Sequence, residues 1–144
     1  MKYLMLFLLS LPLHANDCVH THSRFNCVEY VKNYDGDTVT FNIAGVHSLI
    51  GSKINIRLNG VDTPEMRGRK ACEKTKAKQA KALVSSILKD AKRIDLVNVK
   101  RGKYFRIVAD IMVDGKSLSD ALLARKLAVK YDGGRKPASN WCEP

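Results

Sequence analysis

Four carboxylates and two arginines stand where strands are expected to turn or end. Asp35 and Asp37 lie in Asp35-Gly36-Asp37-Thr38; Arg57, Asp62 and Glu65 lie in Arg57-Leu58-Asn59-Gly60-Val61-Asp62-Thr63-Pro64-Glu65; Arg106 closes Lys103-Tyr104-Phe105-Arg106. A hard divalent cation takes oxygen ligands, and Asp37 and Asp62 offer two carboxylates from neighbouring strands, a set that suits calcium better than zinc. On a phosphate oxygen such an ion acts as a Lewis acid. Guanidinium groups match phosphate oxygens in bidentate fashion and stay charged at any working pH, which makes Arg57 and Arg106 the candidates for holding a phosphate. Glu65, just past Pro64, is left to take a proton from an attacking water or to orient it. Together these are the parts that phosphodiester cleavage requires.

Each part alone has a plainer reading. An Asp-Gly-Asp turn is commonly a hairpin without a metal. Asp62 to Glu65 also resembles a helix start, with Asp62 or Thr63 as the cap and Glu65 facing the dipole. Arg106 on a strand could be a surface ion-pair partner. Their co-occurrence in a chain of formal charge +11, with 25 Lys and Arg against 14 Asp and Glu, favours a polyanionic partner such as DNA or RNA.

The elements that must position these residues follow from hydrophobic spacing. Val28 to Tyr34 and Asp37 to Ile43 read as a hairpin around Asp35-Gly36. Gly45 to Ser52 reads as a loop. Lys53 to Asn59 alternates, with Ile54, Ile56 and Leu58 on one face and Arg57 on the other, away from the core. A helix is predicted from about Ala71 to Asp90, with Ala80, Leu83, Val84, Ile87 and Leu88 at helical spacing. Strands are predicted at Arg93 to Val99 and at Phe105 to Val113, the latter with Phe105, Ile107, Ala109 and Ile111 facing the core. After the Asp114-Gly115 turn, Ser117 or Ser119 caps a second helix ending near Lys126. Five short strands with two or three helices suit a mainly β, α+β fold: a five-stranded Greek-key barrel of the OB type with packed helices.

Residues Met1 to Ala15 have the charge, apolar run and small-residue end of a secretory signal peptide. The apolar run is far shorter than the roughly 20 residues a membrane span needs, so no stable membrane association is expected. Residues 16–144 then form one domain, with a core at about 26–131 and an irregular tail over 132–144. An even count of four cysteines in an exported chain implies disulfides. Three pairings are possible; the favoured one joins Cys18 to Cys27 and Cys72 to Cys142, tethering the tail to the helix start.

From about Tyr30 to Tyr131 the chain resembles the staphylococcal nuclease (thermonuclease) family. The resemblance rests on Asp35-Gly36-Asp37-Thr38-Val39, Ile56-Arg57-Leu58, Val61-Asp62-Thr63-Pro64-Glu65, Lys103-Tyr104 before Arg106, and Asp114-Gly115 leading to Leu122-Leu123. It implies a calcium-dependent, sequence-nonspecific phosphodiesterase that hydrolyses DNA and RNA to products ending in 3′-phosphate. One calcium ion per domain would be held by Asp37, Asp62 and the backbone carbonyl of Thr63, with Asp35 in the outer shell. Arg57 and Arg106 would hold the scissile phosphate and Glu65 would act as base or water-orienting group. Lys103 and Tyr104 match positions that contact a terminal phosphate, and Tyr131 lies near a position that stacks a base.

Two departures stand out. Phe105 replaces the glycine of the family's usual Asp-Lys-Tyr-Gly-Arg, and Lys126 stands where a glycine usually precedes Leu127-Ala128. The cysteines and tail resemble an exported bacterial branch of the family, so a periplasmic or secreted monomer without a protein partner is expected. The competing expectation is an OB-fold nucleic-acid-binding protein with weak or absent catalysis. Because Arg57 and Glu65 lie outside the apolar core, removing either is expected to cost orders of magnitude in rate while leaving the fold intact.

Overall fold

The computed structural model describes residues 18–136 and 141–142; the expected leader, 1–15, lies outside them, as does part of the tail. Strands β1 (Glu29–Asn33) and β2 (Thr38–Asn42) form the expected hairpin, with Asn33 opposite Val39 and Glu29 opposite Asn42. Strand β3 (Ile54–Leu58) adds antiparallel to β2, so Arg57 sits across from Thr38. The segment read as a loop before it contains one helical turn, α1 (Ser48–Gly51), capped by His47. So short a turn leaves no apolar periodicity to read.

The long helix α2 (Ala71–Lys89) buries Ala77, Ala80, Val84 and Leu88, one stripe at three- and four-residue spacing. Strands β5 (Ile94–Arg101) and β6 (Ile107–Val113) pair antiparallel, and β6 lies parallel to β3, setting Leu58 beside Ala109. Two-residue strands complete the framework: β4 (Val61–Asp62) pairs with β8 (Val129–Lys130), and β7 (Lys116–Ser117) with the end of β6.

The sheet runs β1-β2-β3-β6-β5, and the segment ahead of β1 returns to its far edge. Phe25 exchanges backbone hydrogen bonds with Leu96 at 2.9 and 2.8 Å, and the Val28 amide donates to the Ile94 carbonyl at 2.9 Å. Both edges thereby find partners, which removes the open edge that a flat sheet would expose. Phe41, Ile56, Leu58, Leu96 and Ile111 fill the interior, each almost wholly buried, and Leu122 closes it from α3 (Leu118–Ala124). This is the expected mixed α+β architecture of the OB type.

Both disulfides have the favoured pairing, Cys18 with Cys27 and Cys72 with Cys142. The second ties residue 142 to the first turn of α2. No helix among the described residues is long and apolar enough to cross a membrane.

The strand read as starting at Phe105 starts at Ile107. Lys103–Phe105 forms a single 3-10 turn in which Tyr104 and Phe105 have φ of +57° and +58°, a conformation incompatible with a strand. Phe105 consequently stands outside the core, 82 % exposed.

Helix α3 begins with the Ser117 hydroxyl accepting from the Asp120 amide at 3.2 Å. It ends with Lys126 at φ +54°, its amide donating to Leu123 and the Leu127 amide to Leu122, each at 3.0 Å. This is the Schellman arrangement with lysine in the place that favours glycine. Left-handed backbone costs a non-glycine residue about 1–2 kcal/mol, partly offset by the greater chain entropy that glycine loses on folding. Lys126→Gly is therefore expected to raise stability by up to about 1 kcal/mol, read as a higher urea midpoint at unchanged slope; a lower midpoint would contradict this account of the helix end.

Candidate active site

The β1–β2 turn is held by side chains as much as by backbone. Asp35 Oδ1 accepts from the amides of Asp37 at 3.1 Å and Thr38 at 2.8 Å. Asn33 Nδ2 donates to the carbonyls of Asp35 at 2.8 Å and Lys81 at 3.0 Å, tying the turn to α2. Gly36 is required by space: a Cβ there would meet Ala80 Cβ and Thr63 Cγ2, each at 2.8 Å. The turn is thus pressed between α2 and the Thr63 segment, with Asp37 aimed inward.

Asp62 arrives by a different route. After β3 the chain reverses at Gly60, whose φ is +77°, and β4 pairs with β8. The Thr63 amide and hydroxyl both donate to Asp37 Oδ2 at 2.9 Å, locking the two acidic segments together. The carbonyl of Thr63, expected as a ligand, belongs to the backbone these two bonds hold.

Arg57 lies between the acids. One terminal nitrogen, Nη1, is ion-paired with Asp37 Oδ1; the other, Nη2, reaches Asp62 Oδ1 at 2.9 Å and the Val61 carbonyl at 3.3 Å. Both carboxylates are buried, and only 15 % of the Arg57 side chain is exposed. Arg57 faces away from the apolar core, as the alternation of β3 indicated, yet it is enclosed. Its removal would strand two buried charges, so the expectation of an intact fold requires correction: charges out of water need a partner. Glu65, by contrast, is largely exposed.

Arg57 also reaches a cleft of about 450 Å³, where Lys100, Arg101, Lys103, Arg106 and Tyr131 share the lining. The two candidate arginines therefore face one groove. Arg106 is not on a strand: it follows the 3-10 turn, its amide donating to the Lys103 carbonyl at 3.2 Å. Tyr131 is brought in by its backbone N–H, which donates a hydrogen bond to the Gly60 carbonyl at 3.0 Å. Tyr104 lies off this lining, 86 % exposed, with the Arg106 guanidinium 6.0 Å from its ring centroid.

One participant had no local sequence signal. Lys136 Nζ lies 2.5 Å from Glu65 Oε1 and 3.3 Å from Asp62 Oδ1. A lysine in an irregular tail carries no periodicity, and only the Cys72–Cys142 pairing hinted that the tail returns to this side. Burial would lower the Lys136 pKa, but the hydrogen bond to Glu65 and the attraction of both carboxylates outweigh it and hold the ammonium above its ordinary value. Asp35 moves upward too: loss of solvent outweighs its hydrogen bonds from Thr38 and the pull of Arg57 and Lys136.

The donors suit a hard cation. Asp37 and Asp62 supply carboxylate oxygens on the two terminal nitrogens of one guanidinium, but no three His, Cys, Asp or Glu side chains gather closely enough among the described residues to hold a metal by themselves. Backbone carbonyl and water oxygens would have to complete the shell. Calcium and magnesium accept such a shell, whereas structural zinc takes four nitrogen or sulfur ligands.

An OB-type barrel with buried acids, an enclosed arginine and a cationic cleft defines a nuclease-like protein. The family model described as staphylococcal nuclease homologue matches residues 55–140, more than half of the chain, and the chain belongs to that family. Nucleic acid is accordingly its class of substrate. No curated protein matches the chain significantly. The hairpin bearing Asp35 and Asp37 precedes the matched span, so its place beside Asp62 rests on the contacts above.

Arg57→Leu is expected to lower unfolding stability by about 3–5 kcal/mol in chelator, because Asp37 and Asp62 stay buried without a counter-charge. Adding Asp37→Asn and Asp62→Asn should recover much of the loss in a urea titration. Equal stability of wild type and Arg57→Leu would show that the three groups are not energetically coupled.

Proposed function

We propose that the protein is a calcium-dependent, sequence-nonspecific phosphodiesterase that hydrolyses DNA and RNA to products ending in 3′-phosphate. The observation that carries this reading is the Arg57 guanidinium, which bridges Asp37 and Asp62 while facing the cleft it shares with Arg106. Two guanidinium groups on one groove can bind the non-bridging oxygens of a phosphate and stabilise the negative charge that grows in the pentacovalent transition state. Glu65, exposed at the edge of the acidic pair, is the group to accept the proton of the attacking water or to orient it. Its carboxylate must first exchange the Lys136 ammonium for water, an inexpensive change because both side chains are more than half exposed.

Calcium held by Asp37, Asp62 and the Thr63 carbonyl, with Asp35 in the outer shell, would supply Lewis-acid polarisation of a phosphate oxygen when bound. Lys103 and Tyr131, both on the cleft, are assigned to a terminal phosphate and to base stacking respectively, and Tyr104 to the same phosphate as Lys103. Contacts of this kind hold the backbone and carry no base information, which supports a broad substrate range. The enzyme is taken to be one nuclease domain over residues 16–144, exported and monomeric, in a periplasm or outside the cell. Two disulfides support an oxidising compartment.

The test is incubation of the purified mature chain with plasmid DNA and with RNA, in calcium, in magnesium and in chelator. Cleavage of both substrates in calcium and its loss in chelator are expected. Glu65→Gln should lower kcat by about 10²–10⁴-fold while melting like wild type, since its carboxylate is exposed. Full activity of Glu65→Gln, or equal cleavage in chelator, would remove the assignment.

A further inference from the structure

Alternation along β6 gives Phe105 the phase of the core residues Ala109 and Ile111, yet its ring is 82 % exposed beside a Tyr104 ring that is 86 % exposed. Among the described residues only arginine side chains approach the rings. Both residues hold left-handed backbone at successive positions, an arrangement unfavourable for side chains with a Cβ and sustained here by the hairpin base. That base is firm: the Gly102 amide donates to the Arg106 carbonyl at 2.7 Å, and Arg101 pairs with Ile107 directly beneath. Two aromatic rings are therefore presented to solvent on a constrained tip.

Their neighbours identify the chemistry of the occupant. The Arg101 guanidinium lies 5.2 Å from the centroid of Phe105, and Arg106 lies 6.0 Å from that of Tyr104. Arg101 and Arg106 also line the cleft that Arg57 enters. Exposed flat rings beside guanidinium groups that themselves line a cationic cleft match a strand of unpaired nucleotides, whose phosphates follow the charges while a base stacks on a ring at the rim. A duplex keeps its bases stacked on one another and offers a free base face only at its ends.

We propose that Phe105 forms a stacking face for unpaired bases at the rim of the cleft, beside the Tyr104 assigned to the terminal phosphate, and thereby strengthens binding of single-stranded relative to duplex nucleic acid. This rests on the nuclease reading for the path of the phosphates. The platform itself is a binding property and is tested without cleavage.

The experiment is fluorescence anisotropy of a labelled single-stranded oligonucleotide, and of the matching duplex, with the mature protein in chelator over a range of salt. Phe105→Ala is expected to weaken single-strand binding by about 5- to 150-fold, equivalent to one lost base–aromatic stack, and duplex binding by less than twofold. The slope of log Kd against log salt should stay unchanged, because no phosphate contact is lost, whereas Arg101→Ala should lower it by about one ion. Phe105→Trp should restore affinity, Phe105→Leu should not, and Leu49→Ala, an equally exposed apolar residue on α1, should bind as wild type. Each variant is checked by circular dichroism melting. Single-strand affinity of Phe105→Ala within twofold of wild type would overturn the proposal, as would rescue by leucine. Loss of binding to phosphatidylserine vesicles in Phe105→Ala, with oligonucleotide affinity intact, would assign the rings to a lipid surface and overturn it too. If wild type fails to cleave in calcium while the Phe105 effect on single strands persists, the nuclease reading fails and the platform stands.

Discussion

The site depends on one guanidinium shared by two buried acids. Asp37 comes from a hairpin turn and Asp62 from a strand of two residues after β3, and both meet Arg57. Two carboxylates taken out of water need a counter-charge and hydrogen bonds to offset their lost hydration. Arg57 meets that cost because its fork presents separate donors to separate partners and cannot deprotonate. Most local structure around it serves this contact: Gly36 lets the turn approach Thr63, and the Thr63 amide and hydroxyl fix Asp37.

The barrel converts that contact into a site with direction. Parallel pairing of β3 with β6 sets the strand carrying Arg57 beside the one that Arg106 precedes, so two arginines far apart in sequence face one groove. On the acidic side the tail folds back, and Lys136 adds a cation against Glu65 and Asp62. Carboxylates thus occupy one flank and fixed positive charge the other. Such a flank of fixed positive charge attracts anionic groups that approach the groove.

Hydrophobic spacing carried far. The alternation of Ile54, Ile56 and Leu58 indicated which way Arg57 points, and the stripe through Ala80, Val84 and Leu88 outlined α2 almost to its ends. Serine before an apolar run indicated the start of α3. These signals are local: they ask only which side of an element is dry. Where the backbone leaves the regular wells the same rule fails. Phe105 has the phase of a core residue, but left-handed dihedrals at Tyr104 and Phe105 end the extended conformation and turn the ring outward. The single turn of α1 was too short to leave any pattern.

The sequence by itself determined the family motifs, the chemical types of the reactive groups and the faces on which β3 and α2 bury their apolar side chains. Those properties reside in residue type and near-neighbour spacing, which a linear chain expresses directly. Only the tertiary structure decided that Arg57 is enclosed rather than merely turned from the core, that Lys136 meets Glu65 across 71 positions, and that Phe105 stands in solvent. Burial and ion pairing depend on what arrives from elsewhere in the chain, and that is set by strand register, barrel closure and the path of the tail.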